Sequence, residues 1–382
     1  MRGIHLDMYR KEDGSYCLPD GIYFGLAEDI YHSDKALGST SIKGLATKPY
    51  KWQRDRIRPK DTEREPEHLK WGRAFHCRVL EGKGEFDERY AEPPSPADYP
   101  YPAYFHNSDQ IRAFLKEHGM KVSGSKAEVF ARAQEIDGCP RLFDDVVSAW
   151  WDAHPKHEDV SKAQLIEIED AVSNMARDPS LSAVMTAGSL IDGAAELSIF
   201  YTDERGIRRK ARLDYAIPMT GGRPYSMVVD LKSFTTFRSG TDEEGGVRKV
   251  YDEFYDVQAG YYRDAIDAAR LLAANGQVFG DCEDGFLRDF LGAPKHAFMW
   301  VWVMMRRDNG MIPVILATDI YSALINHGND IARAALDTYH HHVTTQGADQ
   351  LWTPAPKVPR LLDAQSLPSY NRGATYEQPA DR

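Results

Sequence analysis

The segment Val228-Val229-Asp230-Leu231-Lys232 constrains this chain more than any other. An apolar run leads into an Asp-x-Lys pair, and side chains two apart on a strand face the same way. Asp230 and Lys232 therefore stand side by side at the end of a strand whose approach is built for burial. By itself such a pair is also what a surface ion pair at a strand end looks like. The preceding strand narrows the reading. It runs from Ile207 to Ile217 through Arg212-Leu213-Asp214-Tyr215, and a turn at Thr220-Gly221-Gly222-Arg223-Pro224 sends the chain back, bringing Asp214 beside Asp230. Two carboxylates that close repel each other unless a cation lies between them. Oxygen donors of short reach suit Mg²⁺. A divalent ion with a lysine able to orient or deprotonate water is equipment for phosphodiester hydrolysis.

Around this hairpin the hydrophobic period changes several times. Ser39, Thr40 and Ser41 offer N-caps for a helix with Ile42, Leu45 and Ala46, which Pro49 ends. Leu69, Ala74, Phe75, Val79 and Leu80 make an apolar stripe for a helix from Glu67 to Glu81, and Leu165 to Met175 repeats the pattern between Ser161 and Asp178. Period-two runs predict strands at Glu196–Tyr201, Ile207–Ile217 and Tyr225–Lys232, with a buried strand at His296–Met304 and a partner near Ile312–Ala317. One long helix is predicted from about Tyr251 to Asn275 and another from Ile320 to His340. The expected fold class is α/β, a mixed central sheet flanked by helices.

Composition fits a globular chain: 382 residues, 42% hydrophobic and 27% charged. Cys17, Cys77, Cys139 and Cys282 are scattered and form no CxxC pair, which argues for a reducing compartment and against a disulfide framework or a cysteine-built zinc site. No apolar run is long enough to cross a bilayer, so a cytoplasmic protein with no membrane partner is expected. The net charge of −11 opposes nucleic-acid binding, which runs on Lys and Arg. Local basic runs answer it in part: Lys51 to Lys60, and Arg205 to Arg212, the latter offering Arg208 and Arg209 to phosphates. Either run also reads as a solvated charged face.

Two further motifs flank the hairpin. Gly72-Arg-Ala-Phe-His76 lies on the helix before it; Gln258-Ala-Gly-Tyr-Tyr262 lies on the helix after it, with Gln258 and Tyr262 four apart on one face. In the order GxxxH, Asp, Asp-x-Lys, QxxxY, the set resembles the RecB-like branch of the PD-(D/E)XK nucleases. Tyr31-His-Ser-Asp, Leu37 to Ile42, Trp71 to Glu81, Glu196-Leu-Ser-Ile, Met227 to Ser233 and Tyr255 to Tyr262 bring it closer to the exodeoxyribonuclease VIII (RecE-type) nuclease domain. The resemblance covers most of residues 20–90 and 155–370.

That resemblance implies a PD-(D/E)XK core over residues 1–90 and 150–352. It implies an exonuclease that degrades double-stranded DNA from its ends, 5′→3′, leaving 3′ single strands for recombination by strand annealing. It further implies a homo-oligomeric ring and a single-strand annealing partner of the RecT kind. By position His76, Asp214, Asp230 and the Leu231 carbonyl would bind Mg²⁺, with Mn²⁺ able to substitute; Lys232 would be the catalytic lysine, and Gln258 and Tyr262 would organise the site. Glu196 matches an acidic position of the family and is given a supporting role behind those ligands. Two other readings stay open: an endonuclease of the same superfamily, and a catalytically inactive adaptor that binds DNA ends.

One stretch departs from the pattern. After a linker rich in proline and tyrosine at residues 91–104, residues 105–137 carry their own signals: Asn107 or Ser108 capping a helix through Ile111, Phe114 and Leu115, Gly119 stopping it, and Ser125 with Glu128 opening a second helix. The segment Ile111 to Glu128 is similar to a SAP motif, a small DNA-binding module, whose phosphate-facing bases here would be Arg112, Lys116, Lys121, Lys126 and Arg132. A helical insertion that only packs or oligomerises is the competing reading. The tail from 353 to 382, with five prolines, is expected to be extended.

Overall fold

The computed structural model describes residues 6–59, 66–182, 184–186, 188–236 and 239–355, so the tail beyond 355 and Lys60 of the first basic run lie outside the described residues. Its centre is a seven-stranded mixed sheet. In chain order the strands are β1 (Gly21–Tyr23), β2 (Ala194–Thr202), β3 (Arg208–Ile217), β4 (Ser226–Phe234), β5 (Val278–Phe279), β6 (Phe298–Arg306) and β7 (Ile312–Asp319). They lie side by side as β5-β1-β2-β3-β4-β6-β7. Strands β2, β3 and β4 form an antiparallel meander, and β4 runs parallel to β6 with Asp230 opposite Trp302 and Lys232 opposite Met304.

Both faces of the sheet are covered. Along β6, Trp300, Trp302 and Met304 enter one core, and Val301, Val303 and Met305 enter the other. That is why the strand reads as an unbroken apolar run rather than an alternation. Helices α1 (Ser39–Thr47), α9 (Tyr255–Ala274) and α10 (Ala323–Gln346) pack into the first core; α3 (Glu67–His76) and α7 (Lys162–Arg177) pack into the second. Among the described residues, no helix is long and apolar enough to cross a membrane.

Helix boundaries differ from the sequence expectations in four instructive places. Ser39 is the first residue of α1 rather than its cap; Gly38 takes that position, leaving the Ser39 hydroxyl free for other work. Pro49 ends α1 but also starts α2 (Pro49–Ile57) at N1, where its missing N–H costs nothing. The single helix expected from 251 to 275 is two, α8 (Asp242–Asp252) and α9, separated where Phe254 adopts a left-handed conformation at φ +55°. Helix α3 runs on into a π-turn over Cys77–Glu81, so His76 sits where the helical phase shifts.

The SAP-like stretch folds as two helices, α4 (Ser108–Glu117) and α5 (Lys126–Ala133), around Phe105, Ile111, Leu115, Val129 and Ala133. Asn107 caps α4 and the Ser125–Glu128 capping box opens α5. Gly119, at φ +68°, ends α4 with the Met120 N–H returning to the Leu115 carbonyl. Residues 120–122 join the helices without forming a strand. The excursion is larger than 105–137. Tyr104–Phe105 pairs with Arg141–Leu142, a helix α6 (Phe143–Ala153) follows, and Tyr90–Ala91 pairs with Glu158–Asp159. The chain thus leaves the main body and returns to it at one place.

Candidate active site

The site grows from a fault in the sheet. In β2, Leu197, Ile199 and Tyr201 enter the first core, yet Ala195, two residues before Leu197, packs in the second. Strand β3 does the same: Ala211 and Leu213 face one core, Tyr215 and Ile217 the other. The two switches occur at Glu196 and Asp214, which lie between the paired residues Ala195–Tyr215 and Leu197–Leu213. Glu196 has φ +52°, a left-handed residue inside a strand, which reverses the pleat. Its carboxylate and that of Asp214 are thereby turned out of both cores. On β4 alternation is regular, and Asp230 and Lys232 share one face as predicted, the face that α9 covers.

These groups meet. The Lys232 ammonium donates to Asp230 Oδ1 at 2.7 Å and lies 3.6 Å from Asp214 Oδ2. The Leu231 N–H donates to Asp214 Oδ2 at 2.9 Å, and His76 Nδ1 lies 3.9 Å from the same oxygen. Gln258 Nε2 donates to Asp230 Oδ1 at 3.0 Å, and the Tyr262 hydroxyl is 3.3 Å from Ser39 Oγ. Arg212 stands behind the cluster, 3.5 Å from Glu196 Oε2, with its Nε on Ser198 Oγ at 2.9 Å. Asp214, Asp230, Lys232, His76, Gln258, Tyr262 and Glu196, expected together from their spacing or family position, do converge.

The electrostatics are those of a site carrying more negative charge than it can ionise comfortably. Burial, reinforced by Asp214, raises the Glu196 pKa to about 8 against the pull of Arg212. Burial and Asp214 raise that of Asp230 to about 6, although Lys232 opposes. Burial acts to lower the Lys232 pKa, but Asp214 and Asp230 outweigh it and the ammonium is held protonated. Burial depresses His76, with Asp214 resisting, which favours the neutral imidazole that ligates metals.

The donor set fits a hard divalent cation. One ligand atom each from His76, Glu196 and Asp214 lies within 4.8 Å of the others, and Asp230 Oδ2 is buried without a hydrogen-bond partner. Carboxylate oxygens and one imidazole are ligands for Mg²⁺ or Mn²⁺ rather than for a thiophilic metal. The neighbouring Cys77 is no competitor, since burial raises its thiol pKa to about 12. Glu196, expected in a supporting role, is thus placed close enough to His76 and Asp214 to join the prospective ligands.

The cluster opens into a cleft of about 1520 Å³ that reaches Trp52 and Arg56 on α2 and Arg73 on α3. Its wall carries nine lysines and arginines against seven carboxylates, and three of those bases, Lys35, Arg73 and Arg307, are paired with Asp13, Glu158 and Glu167 outside it.

Other expected bases are placed differently. Arg209 is 4% exposed, between the Tyr201 and Tyr261 rings and paired with Asp264; Arg208 is tied to Asp34 and the Leu18 carbonyl. Arg209 presents no surface to DNA, which corrects the reading of that residue in the Arg205–Arg212 run, whereas the Arg208 side chain stays 30% exposed beside Asp34. The run lies on β3, an inner strand, so its charges must be neutralised internally. In the SAP-like unit Arg132 binds the Lys121 and Ser123 carbonyls, Arg112 binds Asp109 and the Gly124 carbonyl, and Lys126 pairs with Asp144. Of the five bases proposed there, Lys116 and Lys121 make no side-chain bond to another described residue.

The sequence reading missed Lys43. It lies one turn after Ser39 on α1, just as Tyr262 lies one turn after Gln258 on α9; Ser39 meets Tyr262 and the Lys43 ammonium donates to Gln258 Oε1 at 3.2 Å. The spacing of four was present in the sequence, but nothing there said which helix faces α9.

No protein-family model matches this sequence, and no curated protein matches it. Among solved structures, a candidate exonuclease from Eubacterium rectale aligns with 61% of this chain and 73% of its own, at 14% identity and a TM-score of 0.31. The protein SSO0001 aligns with 63% of this chain and 77% of its own, at 12% identity and a TM-score of 0.22. Likeness at this level leaves function to be argued from the site itself.

Proposed function

We propose that this protein is a Mg²⁺-dependent exonuclease of the PD-(D/E)XK class and RecE type, degrading double-stranded DNA from its ends 5′→3′ to leave 3′ single strands. The observation that carries the reading is the junction of Asp214, Asp230 and Lys232, with the unpartnered Asp230 Oδ2, beside a cleft that Asp214 and Lys232 line. His76, Glu196, Asp214, Asp230 and the Leu231 carbonyl would hold the ion, with Mn²⁺ able to replace Mg²⁺. Bound there, a divalent cation activates water for attack on phosphorus and offsets charge on the phosphate oxygens.

The chain's own residues supply the rest. Lys232, kept protonated by two carboxylates, acts as a cation that orients water and stabilises the developing negative charge, not as the base. Gln258 holds Asp230 by its Oδ1 and leaves Oδ2 for the metal. A ring of several copies and a RecT-like annealing partner complete the proposal, since 3′ single strands are what such a partner consumes.

The test uses linear duplexes labelled at the 5′ or the 3′ end, with a closed circle as control. Early release of the 5′ label with Mg²⁺, an intact circle, and loss of cleavage in a folded Asp230→Asn variant support the reading. Cleavage of the circle makes the protein an endonuclease, and end binding without cleavage makes it an adaptor.

A further inference from the structure

We propose that Lys43 is a positioning residue of this site and acts through Gln258. The inference rests on the nuclease reading for its meaning but not for its measurement. Gln258 is gripped at both ends. Its Nε2 donates to Asp230 Oδ1 at 3.0 Å, and its Oε1 accepts from the Lys43 ammonium at 3.2 Å. The two ends of an amide are nearly the same shape, so packing alone does not choose between them. A carboxylate on one side and an ammonium on the other do choose, and they choose the same way. With Gln258 and Lys232 both on Oδ1, Asp230 is held so that its second oxygen stays open.

Lys43 is poorly placed to be there for stability. It is half-buried and forms no ion pair within 4.0 Å among the described residues; it touches the neutral Gln258 amide and the Tyr255 ring, 4.6 Å from the ammonium, with the carboxylates of Asp230, Glu253 and Asp256 acting on it only from further off. The Lys232 ammonium lies 5.5 Å from the same ring, so two like charges share one aromatic ring. Burial and Lys232 depress the Lys43 pKa to about 8, partly offset by Asp230. An ammonium held at such a disadvantage, bonded to the side chain that steers a prospective metal ligand, is spending stability on orientation. The geometry repeats one turn earlier, where Ser39 meets Tyr262, so α1 docks on α9 through two polar rungs, both of them at the site.

The experiment uses the full chain and the variants Lys43→Met, Lys43→Arg, Gln258→Leu and the double variant Lys43→Met with Gln258→Leu, each checked for folding by thermal melting. With selective ¹⁵N-glutamine labelling, the Gln258 side-chain NH₂ signals are identified by their loss in Gln258→Leu. In the metal-free wild type they should exchange slowly with solvent; in Lys43→Met exchange should quicken about tenfold or more, and Lys43→Arg should restore most of the protection. With linear duplex and Mg²⁺, Lys43→Met should lower kcat roughly tenfold to hundredfold with little change in KM, and the double variant should be no worse than Gln258→Leu. Unchanged amide exchange in a folded Lys43→Met overturns the proposal. So does a double variant whose losses multiply, or an effect confined to KM, which would make Lys43 a direct phosphate ligand. If the wild type cuts no DNA, the nuclease reading fails while the amide measurement still decides on Lys43.

Discussion

Glu196 is held in a backbone conformation that strands reserve for glycine, with a carboxyl whose pKa is raised to about 8. A left-handed non-glycine residue costs on the order of 1 kcal/mol or more, and the raised pKa adds a pH-dependent cost. The sign follows from linkage. A carboxyl whose folded pKa exceeds its unfolded value gives full stability below the unfolded pKa, near 4, and loses it as pH rises through the folded value. Asp230, at about 6, and Glu196, at about 8, therefore weaken the metal-free protein in sequence across that range. Urea denaturation in EDTA should show stability falling by roughly 2 kcal/mol between pH 5.5 and 8.5, and saturating Mg²⁺ should recover most of the loss at pH 8.5. A flat profile in EDTA would remove the claim that burial and Asp214 hold these carboxyls above their usual range. Glu196→Gly relieves backbone and charge together. It should stabilise the metal-free protein by about 1 kcal/mol or more at pH 8 while weakening Mn²⁺ binding in a calorimetric titration; tighter binding would count against Glu196 as a ligand.

Helix α9 carries Gln258 and Tyr262, and its position is set by backbone contact with α10. A Cβ on Gly260 would lie 2.3 Å from the Asn329 nitrogen, and one on Gly328 would lie 2.1 Å from the Asp256 carbonyl oxygen. Asn329 Nδ2 also donates to the Gly260 carbonyl at 2.8 Å. Gly→Ala in an open helix gains about 1 kcal/mol; here the clash is with backbone that cannot swing aside, so the sign reverses. Gly260→Ala should cost roughly 1–3 kcal/mol in denaturation and lower the proposed nuclease activity by moving Gln258 off Asp230. A variant as stable as wild type would mean that the two helices can part freely. The same element shows what a sequence can and cannot say. Its QxxxY face was readable from the spacing of four, as were Asp230 and Lys232 from the period of two and the Ser125–Glu128 box from its cap. The break at Phe254 was not, since neither glycine nor proline marks it. Nor was the nearness of Glu196 to His76 and Asp214, which depends on a pleat reversed by one dihedral, or the burial of Arg209, which depends on β3 being an inner strand.

At the scale of the whole molecule the question is how a chain of net charge −11 would hold the polyanion that the proposed function requires. The cleft interleaves lysines and arginines with carboxylates next to the prospective metal ligands, so by itself it offers little to keep a long duplex from leaving. The excursion between Ala91 and Glu158 could add that hold, since it has its own small core and is joined to the body where Tyr90–Ala91 pairs with Glu158–Asp159. Because its two ends are neighbours, residues 92–157 can be replaced by a short glycine-rich linker without crossing the main sheet. If the unit grips DNA, that deletion should leave hydrolysis of short duplexes near the wild-type rate and reduce processivity on long ones. The structure also sharpens which charges to test. Arg112, Lys126 and Arg132 are committed to internal partners, whereas Lys116 and Lys121 are not. Changing both to glutamate in the full chain should therefore make the dependence of log K on log salt shallower by about 0.9 for each phosphate no longer neutralised. The corresponding change at Arg132 should instead unfold the loop it braces and lower the unit's melting temperature. An insertion that serves only packing or assembly predicts the opposite pattern: a salt slope unaltered by Lys116→Glu with Lys121→Glu, and a deletion variant that elutes at a smaller size in chromatography. An unchanged slope in a double variant of wild-type size would remove DNA binding from this unit and leave the Asp214–Asp230–Lys232 assignment to stand or fall on its own test.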